Sequence, residues 1–153
     1  MSLAVTAPVT GTVVGLAAVP DPVFAEAMVG PGTAIDPERA VGDACSPIAG
    51  RLVKLHPHAF VVVDVASGVE RGVLVHLGID TVQLEGAGFE VLASEGDVVA
   101  AGQSIVRWNP AQIEAGGRSP VCPVVALGAS ADDLSGVLES GAVKAGDPLL
   151  TWT

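Results

Sequence analysis

Three histidines are the residues of this sequence best suited to chemistry: His56 and His58 in LHPHAFVVV (Leu55 to Val63) and His76 in VLVHLGIDTV (Val73 to Val82). A neutral imidazole, with an unperturbed pKa of about 6.5, carries a free nitrogen lone pair near pH 7 and is able to attack phosphorus. Which nitrogen is free depends on what the other one bonds. If a backbone carbonyl holds the Nδ1 proton, Nε2 is left open, and Gly78, two residues after His76, allows the close backbone approach such a bond needs. A second imidazole across the site would then donate to phosphoryl oxygens, where charge has to be met during transfer.

Two other readings fit the same residues. His-x-His is a common way to present two imidazoles to one metal, and Asp64, six residues after His58, supplies an acidic ligand of the same strand parity, so a metal site on His56, His58 and His76 is the sharper competitor. A histidine on an apolar strand is also often a core residue bonded to a carbonyl. Three histidines at equal parity beside Val-rich runs favour a shared site.

The elements that must position these side chains read as strands. Alternation places Leu74, His76 and Gly78 on one face, opposite Val73, Val75, Leu77 and Ile79. By the same parity His56, His58 and Phe60 share a face, and Pro57 between the imidazoles predicts an edge or a bulge, because proline cannot donate to a ladder. Glycine (19) and proline (11) punctuate the chain between short Val-rich runs, the pattern of an all-β sandwich or barrel. Helical capacity is confined to short turns at Pro22 to Met28, Pro110 to Ala115 and Asp132 to Leu138, the last with Ser130 as N-cap.

Two segments occur twice. PVTGTVVGL (Pro8 to Leu16) aligns with PIAGRLVKL (Pro47 to Leu55), and VAAGQSIVRW (Val99 to Trp108) with VKAGDPLLTW (Val143 to Trp152). Two copies of two segments predict a duplicated β unit whose halves close on each other. Biotinyl and lipoyl carrier domains share this pattern, but Lys54 and Lys144 are the only lysines and neither lies in a Met-Lys hairpin, so no attached cofactor is expected.

At 153 residues the chain is expected to form a single domain, spanning 1–153, with a substantial core. Seven Lys and Arg against seventeen Asp and Glu give a formal charge of −10, which opposes binding to nucleic acid or anionic membranes. No apolar stretch approaches the ~20 residues of a membrane span, so a soluble, cytoplasmic protein with no direct membrane insertion is predicted. Cys45 and Cys122 form no CxxC pair and read as small core residues.

VLVHLGIDTVQLEGAGF (Val73 to Phe89), with the upstream HAF (His58 to Phe60), resembles the glucose-type enzyme IIA of the bacterial phosphoenolpyruvate-dependent sugar phosphotransferase system. VPDPVFAEAMVGPGTAIDP (Val19 to Pro37), SPIAGRLVKL (Ser46 to Leu55) and EGDVVAAGQSIVRW (Glu95 to Trp108) stand in the same order as their counterparts in that family. The resemblance implies an antiparallel β-sandwich, a barrel-sandwich hybrid related to the biotinyl and lipoyl barrel, and a phosphocarrier without obligatory cofactor. It implies that His76 accepts a phosphoryl group from the phosphocarrier HPr and passes it to a cysteine of the IIB domain of a sugar permease. His58 would be the second histidine, stabilising the phosphoryl group, with Asp80 and Thr81 beside the site. Val23, Phe24 and Val29 would form an apolar rim for partner proteins, regulatory targets among them. His56 takes the place where the family commonly carries a threonine. A metal-binding sandwich and a non-catalytic regulatory module using the same face are the alternatives.

Overall fold

The computed structural model describes residues 2–64 and 68–153. Within them the strands are β1 (Leu3–Thr6), β2 (Gly11–Val13), β3 (Gly32–Pro37), β4 (Gly42–Cys45), β5 (Gly50–His56), β6 (Ala59–Asp64) and β7 (Arg71–His76). They continue as β8 (Phe89–Val91), β9 (Val98–Val99), β10 (Ser104–Trp108), β11 (Cys122–Ala126), β12 (Leu134–Ser135), β13 (Ala142–Val143) and β14 (Pro148–Trp152). Two short helices, α1 (Pro22–Ala25) and α2 (Pro110–Ala115), interrupt them.

Pairing is antiparallel throughout the described strands. One eight-stranded sheet runs β13-β2-β3-β11-β7-β6-β5-β9, and two three-stranded sheets run β1-β14-β12 and β4-β10-β8. The expected all-β sandwich is therefore what forms. Alternation explains the packing: Leu52, Phe60, Val62, Val73 and Val75 of the large sheet meet Ile105, Trp108, Leu149 and Trp152 of the small ones in one buried cluster. Each such side chain, fully buried, is worth roughly 1.5–3 kcal/mol relative to exposure.

The sequence duplication is visible as a pseudo-twofold exchange. Thr6 N–H donates to the Pro47 carbonyl while Cys45 N–H donates to that of Pro8, at 2.9 and 2.8 Å. Gly102 N–H reaches the Ser46 carbonyl as Gly146 N–H reaches that of Ala7, both at 2.8 Å. The repeated Pro-x-x-Gly segments begin β2 and β5, which pair with β13 and β9 at opposite ends of the large sheet. The repeated Trp-ended segments become β10 and β14, each the centre of a small sheet.

Helical turns follow the expectations unevenly. Asn109 caps α2, accepting from Ala111 N–H at 3.1 Å, and Pro110 takes the first helical position. α1 stops at Ala25, before Ala27 takes a φ of 54°. The helix expected over Asp132 to Leu138 does not form. Ser130 starts a single 3-10 turn, Ala131–Asp133, whose Asp133 carboxylate accepts from Ser130 N–H, and Leu134 then leaves it to pair with Trp152. Strand pairing outweighs local helical preference there. Cys122 is fully buried as expected, but Cys45 is only half-buried.

The other face of the large sheet is covered by the chain between β2 and β3. Val19 and Phe24 form a second apolar cluster with Ala34, Ile79, Val121 and Val125, against which Val14, Val29 and Leu74 pack. The histidines lie at the border of this cover.

Candidate functional site

β6 and β7 pair so that Phe60 faces Val75 and Ala59 faces His76. Phe60 and Val75 are core residues, so by strand alternation Ala59 and His76 lie on the outer face. His76 is on the face the sequence pattern indicated, and it is half-buried there.

β5 and β6 are joined by a tight turn at Pro57 and His58, with His56 opposite Ala59. Pro57 is thus a turn residue, not the edge or bulged strand position expected, and its fixed φ suits the turn. Because His58 lies in the turn, strand parity does not govern it. Phe60 points into the core, while the His58 ring sits 5.3 Å from the His76 ring at 71° and 5.7 Å from the His56 ring at 24°. The backbone ties the same residues together, since Leu77 N–H donates to the His58 carbonyl at 2.7 Å.

His76 Nδ1 lies 2.5 Å from the Gly78 carbonyl oxygen. A carbonyl only accepts, so Nδ1 carries the proton and Nε2 keeps its lone pair. Gly78 has a φ of +83°, and a Cβ there would come 2.7 Å from Thr81 Cγ2 and 3.0 Å from the Ser119 carbonyl oxygen. Only glycine fits. Thr81, fully buried, donates its hydroxyl to the Leu77 carbonyl at 2.8 Å, and Ile79 N–H donates to the Ser119 carbonyl at 2.9 Å. Asp80 takes a left-handed conformation, φ 59°, which aspartate tolerates better than most residues. The turn holding the His76 tautomer is braced from both sides.

Phe24 comes from α1, which Asp21 caps by accepting from Val23 N–H at 2.9 Å. Its ring is 5.2 Å from that of His76, tilted at 57°. Burial is the main influence on His76 and pushes its pKa down, while the Gly78 carbonyl and the carboxylates of Asp21 and Asp80 pull upward without cancelling it. His58 is lowered to about 4, first by burial and then by His76 and His56. Both imidazoles are neutral at pH 7, and a neutral His76 is a nucleophile.

The expected acidic metal ligand lies elsewhere. Asp64 faces Arg71 across β6 and β7 and pairs with it at 3.1 Å, five residues along the strand from Ala59 and so ~17 Å away. Among the described residues no group of three His, Cys, Asp or Glu side chains is placed to hold a metal ion.

Of the three rim residues, Val23 is 41% exposed, Val29 is half-buried and Phe24 is 8% exposed, packed on His76. Further exposed apolar surface comes from Met28 and Val82, 69% and 60% exposed. Sequence reasoning passed over both, and over Asp21 as a neighbour of His76. Val82 was signalled by its place directly after Asp80 and Thr81.

No helix among the described residues is long and apolar enough to cross a membrane. The profile of the family described as phosphoenolpyruvate-dependent sugar phosphotransferase system, EIIA 1, matches residues 3–131. The glucose-specific EIIA component of Staphylococcus aureus is 43% identical over 124 residues, which is 80% of this chain and 72% of that protein. Its namesake from Oceanobacillus iheyensis is 39% identical over 125 residues, covering 80% and 73%. The solved structure of glucose permease IIA from Mycoplasma capricolum superposes with a TM-score of 0.88 at 35% identity, covering 99% of this chain and 96% of the other. Fold, duplicated strands and matched profile together place the chain in the EIIA 1 family of the phosphoenolpyruvate-dependent sugar phosphotransferase system, as a phosphocarrier component.

Proposed function

We propose that Nε2 of His76 accepts a phosphoryl group from phosphorylated HPr and delivers it to a cysteine of the IIB domain of a sugar permease, in the cytoplasm. The observation that carries this reading is the Nδ1–H bond from His76 to Gly78, which leaves Nε2 as the free nucleophile. Its lone pair forms the new P–N bond as the bond between phosphorus and the donor breaks and that electron pair returns to the donor atom. The ring of His76 becomes positive, and the Gly78 carbonyl, Asp21 and Asp80 favour that charge. In the onward step a cysteine thiolate attacks phosphorus and the pair returns to Nε2.

His58 is the stabilising partner. Its ring stands beside His76 and a phosphoryl dianion there raises the affinity of His58 for a proton, making it a stronger donor. Val23, Met28 and Val82 supply apolar contact for the partner proteins. The names of the relatives make glucose the first sugar to test. Incubation with phosphoenolpyruvate, enzyme I and HPr should label the protein once per chain. A protein that stays unlabelled while HPr is labelled would refute the reading.

A further inference from the structure

The sheet register sets three residues in one row across three strands: His56 on β5 opposite Ala59 on β6, and Ala59 opposite His76 on β7. Neighbouring strands are ~4.8 Å apart, so His56 and His76 stand about 10 Å from each other with only a methyl between them. The His58 ring, arriving from the turn, fills that gap. It stands at 71° to the His76 ring and lies nearly parallel to that of His56, at 5.3 and 5.7 Å between centroids.

We propose that His56 is a positioning residue for phosphoryl transfer, its imidazole backing the face of the His58 ring so that this ring keeps its steep angle to His76. This rests on the assignment of His76 and His58 above and adds a third residue to it. His56 and His58 form no hydrogen bond with each other in this geometry, so the influence passes by stacking and charge, not by a shared proton. His58 has no side-chain hydrogen bond of its own among those found in the described residues. The other restraints are Pro57, which packs near Gly86, and the His58 carbonyl, which holds Leu77 N–H. Neither restraint fixes the ring rotation.

The titratable groups that act on His58 are His76 on β7 and His56 on its own hairpin, while the carboxylates of Asp21 at the start of α1 and Asp80 after β7 act on His76. His56 and His76 both disfavour a proton on His58. Removing His56 lifts one of these and opens a ring face to water, and both changes act in the same direction.

The test compares His56→Ala and His56→Phe with the unchanged protein, reading the His58 titration by NMR in the unphosphorylated state and single-turnover transfer from the phosphorylated protein to IIB. His56→Ala should keep phosphoryl acceptance, raise the His58 pKa, and slow onward transfer about 10-fold, less than the 10²–10³ expected for losing a charge-stabilising donor. His56→Phe, which restores a ring face without charge, should recover most of the rate while leaving the His58 pKa raised. An unchanged His58 titration and rate in His56→Ala would overturn the proposal. Failure of the unchanged protein to accept phosphate would instead overturn the carrier assignment, and the NMR titration would still report on His56.

Discussion

His76 Nδ1 and the Gly78 carbonyl oxygen are 2.5 Å apart across a left-handed glycine turn, so the backbone two residues on selects the tautomer of the imidazole. The selection depends on a residue with no side chain. It also depends on Thr81 and Ser119, whose atoms occupy the space a side chain at 78 would need.

Gly78→Ala should therefore damage both stability and function. The substitution forces a methyl into the left-handed region and against Thr81, and strain of that kind costs about 1–3 kcal/mol. Urea unfolding should show the loss, and phosphoryl acceptance should fall further than stability alone explains. A variant as stable and as active as the parent would mean that the turn is not under the constraint described.

The histidines make stability pH-dependent in a defined direction. His58 has an ordinary pKa of 6.5 when unfolded and about 4 when folded, and His76 is shifted the same way. Above 6.5 both states are neutral and contribute nothing. As pH falls below 6.5 the unfolded chain takes up a proton the folded one refuses, so stability is lost progressively until about 4, where folded His58 also titrates. Asp43 and Glu114, held down by Arg107 and Arg39, act below their ordinary values of 3.8 and 4.5. Thermal unfolding between pH 7 and 4.5 should thus show a falling Tm whose slope is reduced in His58→Gln.

Much of this was legible in the sequence, because period-2 patterning is a local signal. The run Val73 to Ile79 assigned His76 to the outer face, and the two repeated segments announced the duplicated architecture; the same parity rule put Phe60 with His56 and His58, whereas Phe60 lies in the core. The placement of His58 was not legible by the same rule. A residue in a turn has no strand parity, and Pro57 marked that turn while suggesting an edge or bulge. The burial of Phe24 on His76 depends on the chain from Val14 to Val29 closing over a sheet assembled from distant strands, and Asp64 was claimed by Arg71 through pairing that no spacing argument sees. Residues 132 to 138 carried a helical signal that the pairing of Leu134 with Trp152 overrode.

Replacing the two principal histidines should separate their roles. His76→Gln removes the nucleophile and should abolish phosphoryl acceptance in a folded protein. His58→Gln keeps the nucleophile and loses a group that can become cationic, so acceptance should persist while onward transfer slows by roughly 10²–10³-fold. Equal loss of acceptance in both folded variants would show that the division of roles is wrong.

Charge should govern docking more than chemistry. With a net charge of −10 and the carboxylates of Asp21 and Asp80 acting on His76, the site should attract a positively charged partner surface. Exposed charges are screened beyond about 8 Å at 0.15 M salt. Stopped-flow association with HPr should slow as ionic strength rises, whereas a salt-independent rate would remove electrostatic steering from the account.

The central claim is that the phosphoryl group resides on Nε2 of His76, and phosphorus NMR of the protein phosphorylated through HPr measures this directly. A single phosphohistidine resonance with the character of an Nε2 linkage, absent in His76→Gln and present in His58→Gln, is the predicted result. A resonance assigned to Nδ1, or one that survives His76→Gln, would contradict it.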